Sequence, residues 1–256
     1  MNKIYNEDCF ITMGRDEMIS VADVVLTSPP YNTSRHSASD KYNSRYDVFV
    51  DSKTSQEYID WTIKLFESYD RILAKNGVVL YNISYSSEDS STMWLLVADI
   101  IRNTNFTTAD CVIWKKTHAI PNNRSANKLT RIVEYVFVFC RKTELKTFEA
   151  NKNVVSVVEK TGQKNYENVH NFIEAKNNDG SNDLNKATFS TDFAVKMLNM
   201  YCRKGETVYD SFMGVGTTAK ACMKLGVNYI GSELSEGQIC LFEEHLRVSD
   251  MQMTLF

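Results

Sequence analysis

Apolar and polar positions follow two different periods along this chain. Val24-Val25-Leu26 and Val78-Val79-Leu80 are short, continuous apolar runs, as expected of strands buried on both faces. Over 56–73, by contrast, Tyr58, Ile59, Ile63, Phe66, Tyr69, Ile72 and Leu73 recur at helical spacing. Extended over the first half, the pattern predicts strands at 4–6 and 21–27 with a helix between them. A helix at 56–73 follows, closed by Asn76-Gly77, then a strand at 78–83, a helix at 93–102 and strands at 111–114 and 132–139. Farther on it predicts strand-like pieces at 154–158 and 172–173, a helix at 192–201 and a strand at 207–210. A helix at 217–224, capped by Thr217 or Thr218, a strand at 229–231 and a helix at 236–247 complete the chain. Strands alternating with helices imply an α/β fold with a doubly wound, mainly parallel sheet.

Two stretches fall outside that rhythm. Residues 33–54 are polar, rich in Ser, Asn and Tyr, and follow neither period; a loop this long is expected to be mobile, either a lid or a segment disordered without ligand. Residues 140–188 turn to Lys, Asn, Glu and Asp and look like an insertion with little core of its own. The 256 residues otherwise suit a single domain. No apolar run is long enough to cross a membrane, and the start, MNKIYNEDCF, lacks the apolar core of a signal peptide. Cys9, Cys111, Cys140, Cys202, Cys222 and Cys240 are scattered without CxxC spacing, so free thiols in a reducing cytoplasm are expected, and no metal site.

Net charge is −3, which alone argues against nucleic acid. Its distribution changes that picture. Lys115, Lys116, Arg124, Lys128, Arg131, Arg141, Lys142 and Lys146 face only Glu134 and Glu144 over residues 115–146. Such a local excess can hold phosphates or be a solvated surface.

Two of the three prolines stand together in Thr27-Ser28-Pro29-Pro30-Tyr31-Asn32, directly after an apolar strand. Each proline holds the residue before it extended and supplies no N–H. A stiff strand exit results, with a hydroxyl, carbonyls and then an aromatic ring. That chemistry suits a pocket gripping a flat polar group by its edge and stacking on its face. A second motif, Val208-Tyr209-Asp210-Ser211-Phe212-Met213-Gly214-Val215-Gly216-Thr217-Thr218, reads as strand, glycine loop and helix start. Glu233 follows the next strand about twenty residues on, where an acid can take the two hydroxyls of a ribose. The loop lacks the full GxGxxG and any Gly-Lys-Ser/Thr, which disfavours a nucleotide-phosphate cradle.

Together these motifs resemble the S-adenosylmethionine-dependent DNA methyltransferases that modify exocyclic amino groups. Ser28-Pro29-Pro30-Tyr31 matches their (D/N/S)-P-P-(Y/F/W) motif. DSFMGVGTT resembles their D-P-F-x-G-S-G-T-T loop, with Ser211 in place of proline and Val215 in place of serine. The catalytic motif comes first, as in the permuted β arrangement of a Rossmann-like methyltransferase fold. The resemblance spans nearly the whole chain and assigns roles by position. Asp8 and Cys9 fall near the adenine; Thr27, Thr188, Phe189, Ser190, Asp210, Phe212, Gly214, Gly216, Thr217, Thr218 and Glu233 contribute to the cofactor site. Ser28, Pro29, Pro30 and Tyr31 form the catalytic motif, and residues 140–188 a target-recognition region. Lys115, Lys116, Arg124, Lys128 and Arg131 are the candidates for contact with double-stranded DNA. By the same analogy the arrangement implies a homodimer and, in a restriction-modification setting, a cognate endonuclease.

An exocyclic amino nitrogen is a poor nucleophile because its lone pair is delocalised into the ring. Acceptors on its hydrogens, for which Ser28 Oγ and the Pro29 carbonyl are the candidates, draw it towards a tetrahedral, nucleophilic form; catalysis is then mainly positioning. Tyr31 would stack on the extruded base. By the resemblance, Ser in the first motif position tilts the target towards N4 of cytosine, with N6 of adenine the alternative. Methylation of RNA or protein, or a non-catalytic DNA-binding module, are the competing readings.

Overall fold

A computed structural model of the chain describes residues 2–32, 53–85, 90–119, 121–122, 126–180 and 188–253. In its first half it has β1 (Lys3–Tyr5), α1 (Cys9–Gly14), β2 (Ala22–Thr27), α2 (Ser55–Ile72), β3 (Leu73–Ile83), α3 (Thr92–Asn103), β4 (Phe106–Lys116) and β5 (Val133–Arg141). The second half adds β6 (Val154–Val157), β7 (Lys164–Tyr166), β8 (Phe172–Ala175), α4 (Thr191–Tyr201), β9 (Thr207–Asp210), α5 (Thr217–Leu225), β10 (Asn228–Ser232) and α6 (Glu236–Met253).

Eight strands form one sheet in the order β1-β10-β9-β2-β3-β5-β4-β8. It is mainly parallel, as expected; β5 alone runs against both its neighbours, β3 and β4. Side chains alternate faces along each strand, so the apolar runs feed two cores at once. Val25, Val79, Tyr81, Phe137, Phe139 and Tyr209 pack under α1, α2 and α3. Val24, Leu26, Val78, Leu80, Val136 and Val138 pack with residues of α4, α5 and α6 on the other face. From β9 the chain crosses through α5 to β10 on one side, and from β2 through α2 to β3 on the other. The boundary between β9 and β2 is therefore the switch point of the sheet, the place where open α/β folds put their ligands.

Local chemistry explains the helix that starts this second crossover. Thr54 caps α2 and makes a reciprocal pair with Glu57, whose carboxylate accepts from the Thr54 N–H at 2.8 Å. The helix buries Tyr58, Ile59, Thr62, Leu65, Phe66, Tyr69 and Ile72. It ends earlier than expected. Leu73 already begins β3, and Asn76-Gly77 lies within the strand. A Cβ on Gly77 would come 3.0 Å from the Asp23 carbonyl, so glycine serves close approach to β2 rather than helix termination.

Residues 140–188 divide into unlike parts. β6 and β7 pair as an exposed two-stranded ribbon, consistent with the expected lack of core. β8 instead extends the main sheet beside β4, with Ile173 and Ala175 buried. Of the loop expected at 33–54, residues 33–52 lie outside the described residues. Its flanks are tied: Asn32 Nδ2 donates to the Lys53 carbonyl at 2.6 Å and the Lys53 N–H to Asn32 Oδ1 at 2.9 Å. The cysteines are free thiols, buried except for half-buried Cys111 and exposed Cys240. Among the described residues no helix is long and apolar enough to cross a membrane.

Candidate active site

Strand β2 delivers Thr27 and Ser28 to the carboxyl edge of the sheet, and β9 delivers Asp210 beside them. The Thr27 hydroxyl donates to Asp210 Oδ1 at 2.9 Å, joining the exits of two motifs that lie 183 residues apart. Asp210 is 2% exposed and also accepts from Thr218 Oγ1 at 2.5 Å and the Phe212 N–H at 3.0 Å. Burial pushes its carboxyl up to about 6 from an ordinary 3.8, outweighing the lowering by those three donors. The folded chain therefore favours the protonated acid. The stability that follows is fully present below pH 3.8 and is lost as pH rises through 6. Asp210→Asn removes this titration. From pH 4 to pH 7 the wild type is expected to lose about 2 kcal/mol of stability relative to the variant. Denaturant midpoints of both proteins across that range measure it; a constant difference would contradict the assignment.

On the β9 side the glycine loop is shaped by backbone geometry. Gly216 has φ +74°, and a Cβ there would meet the Phe242 ring at 2.1 Å, so both conformation and space require glycine. Gly216 is also the N-cap of α5, and no side chain caps it. The expected capping by Thr217 or Thr218 is thus corrected: Thr217 is buried in the first turn, and the Thr218 hydroxyl is committed to Asp210. Glu233 closes the loop. Its carboxylate accepts from the Gly214 N–H at 2.7 Å and from the Ser235 N–H at 2.8 Å. Ser211, the departure from the family loop, shares a 2.7 Å hydrogen bond with the buried Tyr69 hydroxyl on α2.

Next to this loop, Asp8 caps α1 by accepting from the Phe10 N–H at 2.8 Å. Phe10, Trp61 and Phe212 form a chain of rings with centroids 6.4 and 5.7 Å apart. Burial raises the Cys9 thiol well above its usual range, making it a packing group rather than a nucleophile. Together these groups present a carboxylate and aromatic faces, a set that fits the hydroxyls of a ribose and the face of a purine. Thr188, Phe189 and Ser190 precede α4 on the opposite face: Phe189 packs 5.1 Å from Phe193, and Ser190 caps α4 by accepting from the Phe193 N–H at 3.2 Å.

On the β2 side lies a polar cluster that the sequence pattern does not reveal. Ser28, Asn82, Glu134 and Lys116 end β2, β3, β5 and β4 beyond the apolar rows. Asn82, 1% exposed, donates from Nδ2 to the Tyr31 hydroxyl at 2.9 Å and to Glu134 Oε2 at 3.1 Å, and lies 3.4 Å from Ser28 Oγ. The Tyr31 hydroxyl donates to Glu134 Oε2 at 3.1 Å, and Ser28 Oγ donates to the Tyr31 hydroxyl at 3.1 Å. A carboxylate only accepts, so Glu134 fixes the direction of this series. Ser28's proton is directed to Tyr31, and its oxygen is left as an acceptor, with one long contact from Asn82. The Pro30 carbonyl is occupied by the Tyr58 hydroxyl at 2.8 Å, leaving that of Pro29 as the candidate acceptor of the pair.

The basic residues are placed unequally. Lys116 bonds to Glu134, and Lys115 pairs with Glu174 at 3.2 Å, so both meet carboxylates. Lys128 and Arg131 are exposed in the loop before β5, and Arg124 lies outside the described residues. Arg141 sits at the far end of β5 and bonds to Asp70 at 2.5 Å. The basic excess read over residues 115–146 is therefore split between opposite edges of the sheet rather than gathered on one face.

Comparison with known proteins agrees with this geometry. The family model described as DNA methylase matches residues 22–244. The type II methyltransferase M.BglII of Bacillus subtilis is 23% identical over 92% of the chain, which spans 66% of that relative's length. The cytosine-N4-specific PvuII DNA methyltransferase has the same fold, with a TM-score of 0.68 and 15% identity over 92% of this chain and 83% of that one. A complex of M1.HpyAVI with S-adenosylmethionine superimposes with a TM-score of 0.62 and 18% identity, over 96% of this chain and all of the other.

Proposed function

The chain belongs to the DNA methylase family, and from that premise we propose that it moves a methyl group from S-adenosylmethionine to the exocyclic amino group of a base extruded from double-stranded DNA. The observation that carries this reading is the Thr27–Asp210 hydrogen bond at 2.9 Å. It joins the exit of β2, which carries Ser28, to the exit of β9, which leads into the loop held by Glu233, and so supports a donor at one and an acceptor at the other as neighbours.

When bound, the cofactor supplies a methyl group on a sulfonium, a leaving group that departs with the C–S electron pair. The protein's residues do the rest by holding and orienting. Glu233 takes the ribose hydroxyls, and the Gly214–Gly216 turn allows close backbone approach. Phe10, Trp61 and Phe212 offer faces to the adenine. Across the switch point, Ser28 Oγ and the Pro29 carbonyl accept from the base's amino group, and Tyr31 stacks on the base. As the nitrogen forms its new bond it loses a proton, and the direction Ser28 to Tyr31 to Glu134 offers that proton an accepting path.

We propose N4 of cytosine as the target, on the strength of Ser28 in the first motif position. A neutral hydroxyl suffices as acceptor here because Glu134 already polarises it. Lys128 and Arg131 are the exposed cations proposed to take phosphates, and the β6–β7 ribbon the part that contacts the target sequence. A second copy of the chain and a companion endonuclease are further proposed partners, on the family resemblance alone.

The test is incubation with unmethylated genomic DNA and S-adenosylmethionine, followed by digestion to nucleosides and mass spectrometry. N4-methylcytosine is expected. N6-methyladenine would keep the activity and overturn the base assignment; methylated RNA or protein in parallel reactions, with unmodified DNA, would overturn the substrate class.

A further inference from the structure

The loop between β4 and β5 carries a side chain that neither strand accounts for. Leu129 is 90% exposed, more than any other large apolar side chain among the described residues. Its neighbours are nonetheless held. Asn122 donates from Nδ2 to the Lys128 carbonyl at 3.2 Å, and its N–H donates to Thr130 Oγ1 at 2.9 Å. Two residues on, the Arg131 guanidinium lies over the Tyr85 ring at 5.2 Å and donates to the Tyr85 carbonyl. The Ile132 carbonyl then accepts from the Lys116 N–H at 2.7 Å. The loop is thus anchored on both sides of Leu129, and its root is the edge that carries Asn82, Glu134 and Ser28.

An apolar side chain between exposed cations, on a loop rooted beside the Asn82–Glu134 cluster, has a chemistry that duplex DNA matches. Cations meet phosphates, and a leucine enters a base step more readily than it enters water. A protein partner is a poorer match. Stable interfaces bury about 800 Å² per partner, whereas among the described residues this loop presents a single leucine with Ile132, 42% exposed, beside it. Resting on the DNA-methylating reading above, we propose that Leu129 is a wedge that occupies the gap left when the target base leaves the stack for the Ser28 pocket. Extrusion leaves two flanking bases without a stacking partner, and the side chain replaces part of that lost contact.

The experiment uses the full chain, labelled S-adenosylmethionine and two synthetic duplexes, built once the modified sequence has been mapped with wild-type protein. One carries the target base normally paired; the other carries it opposite an abasic site, where extrusion costs little. Leu129→Ala is expected to lower kcat/KM on the paired duplex about tenfold or more, and Leu129→Met to restore most of it. On the abasic duplex the deficit should shrink to within about threefold. Both variants should melt with the wild type, because the side chain is exposed. Wild-type rates from Leu129→Ala on the paired duplex, or an equal deficit on both duplexes, would overturn the wedge while leaving the methyltransferase reading intact. Absence of transfer by the wild type on any DNA would overturn that reading and the wedge with it.

Discussion

Replacing Ser28 with alanine is expected to lower the single-turnover rate of methyl transfer by about two to three orders of magnitude, with cofactor affinity unchanged within about twofold. The size follows from removing one preorganised polar contact to charge that develops in the transition state. The separation of rate from affinity follows from position, because Ser28 lies on the β2 side of the switch point and Glu233 on the other. A structural collapse would give a different result. Ser28 is only partly buried, and alanine removes one weak contact at 3.4 Å from Asn82 and one at 3.1 Å to Tyr31. The stability cost should therefore stay near 1 kcal/mol. Transfer within about threefold of wild type would remove Ser28 from the chemistry. The companion variant Glu134→Gln sharpens the argument, because an amide can donate to the Tyr31 hydroxyl and reverse the series that leaves Ser28 accepting. It should lose rate with its fold intact.

How much of this was legible in the sequence depends on whether the chemistry is local or made by pairing. The strand exits were legible. Pro29-Pro30 restricts its own neighbourhood, and Gly214 and Gly216 announce a turn that only glycine tolerates. Their roles needed no knowledge of the sheet. Asn82 and Glu134 were hidden for the opposite reason. Nothing near Asn82 in the chain marks it, and Glu134 counted merely as an acid within a basic stretch. They meet because β3 and β5 pair antiparallel, bringing Asn82 opposite Val136, two residues along β5 from Glu134. The same pairing reassigns Lys116. Read along the chain it was a free cation for phosphate, but β4 sets Trp114 opposite Glu134 and places the lysine ammonium against that carboxylate. Element ends failed in a related way. Asn76-Gly77 signals a helix stop, yet Asn76 takes φ 62° inside β3, between Leu73 and Val78, where the register against β2 shifts. Thr217 or Thr218 looked like a cap because hydroxyls at helix starts usually are. Here the buried Asp210 carboxylate takes the Thr218 hydroxyl instead.

With Asp210 committed to Thr27, Phe212 and Thr218, Glu233 is the more consequential residue on the cofactor side. Its carboxylate has two backbone partners, Gly214 at 2.7 Å and Ser235 at 2.8 Å, and so holds the glycine loop to the start of α6. A carboxylate only accepts, so it can take the hydroxyls of a ribose diol as it takes these two N–H groups. Glu233→Ala removes both functions together. Hydrogen bonds to a charged group contribute roughly 1.5–3 kcal/mol each, so the dissociation constant for S-adenosylmethionine should rise by at least about a hundredfold. Glu233→Gln keeps one accepting oxygen, which cannot serve the loop and the diol equally, and should fall between the two. Titration calorimetry with the cofactor alone reads both variants without any DNA. At saturating cofactor the alanine variant should recover most of its rate, since the Ser28 pocket is untouched. A rate that stays low at saturation, or a cofactor affinity equal to wild type, would mean that Glu233 holds the loop for some purpose other than the ribose.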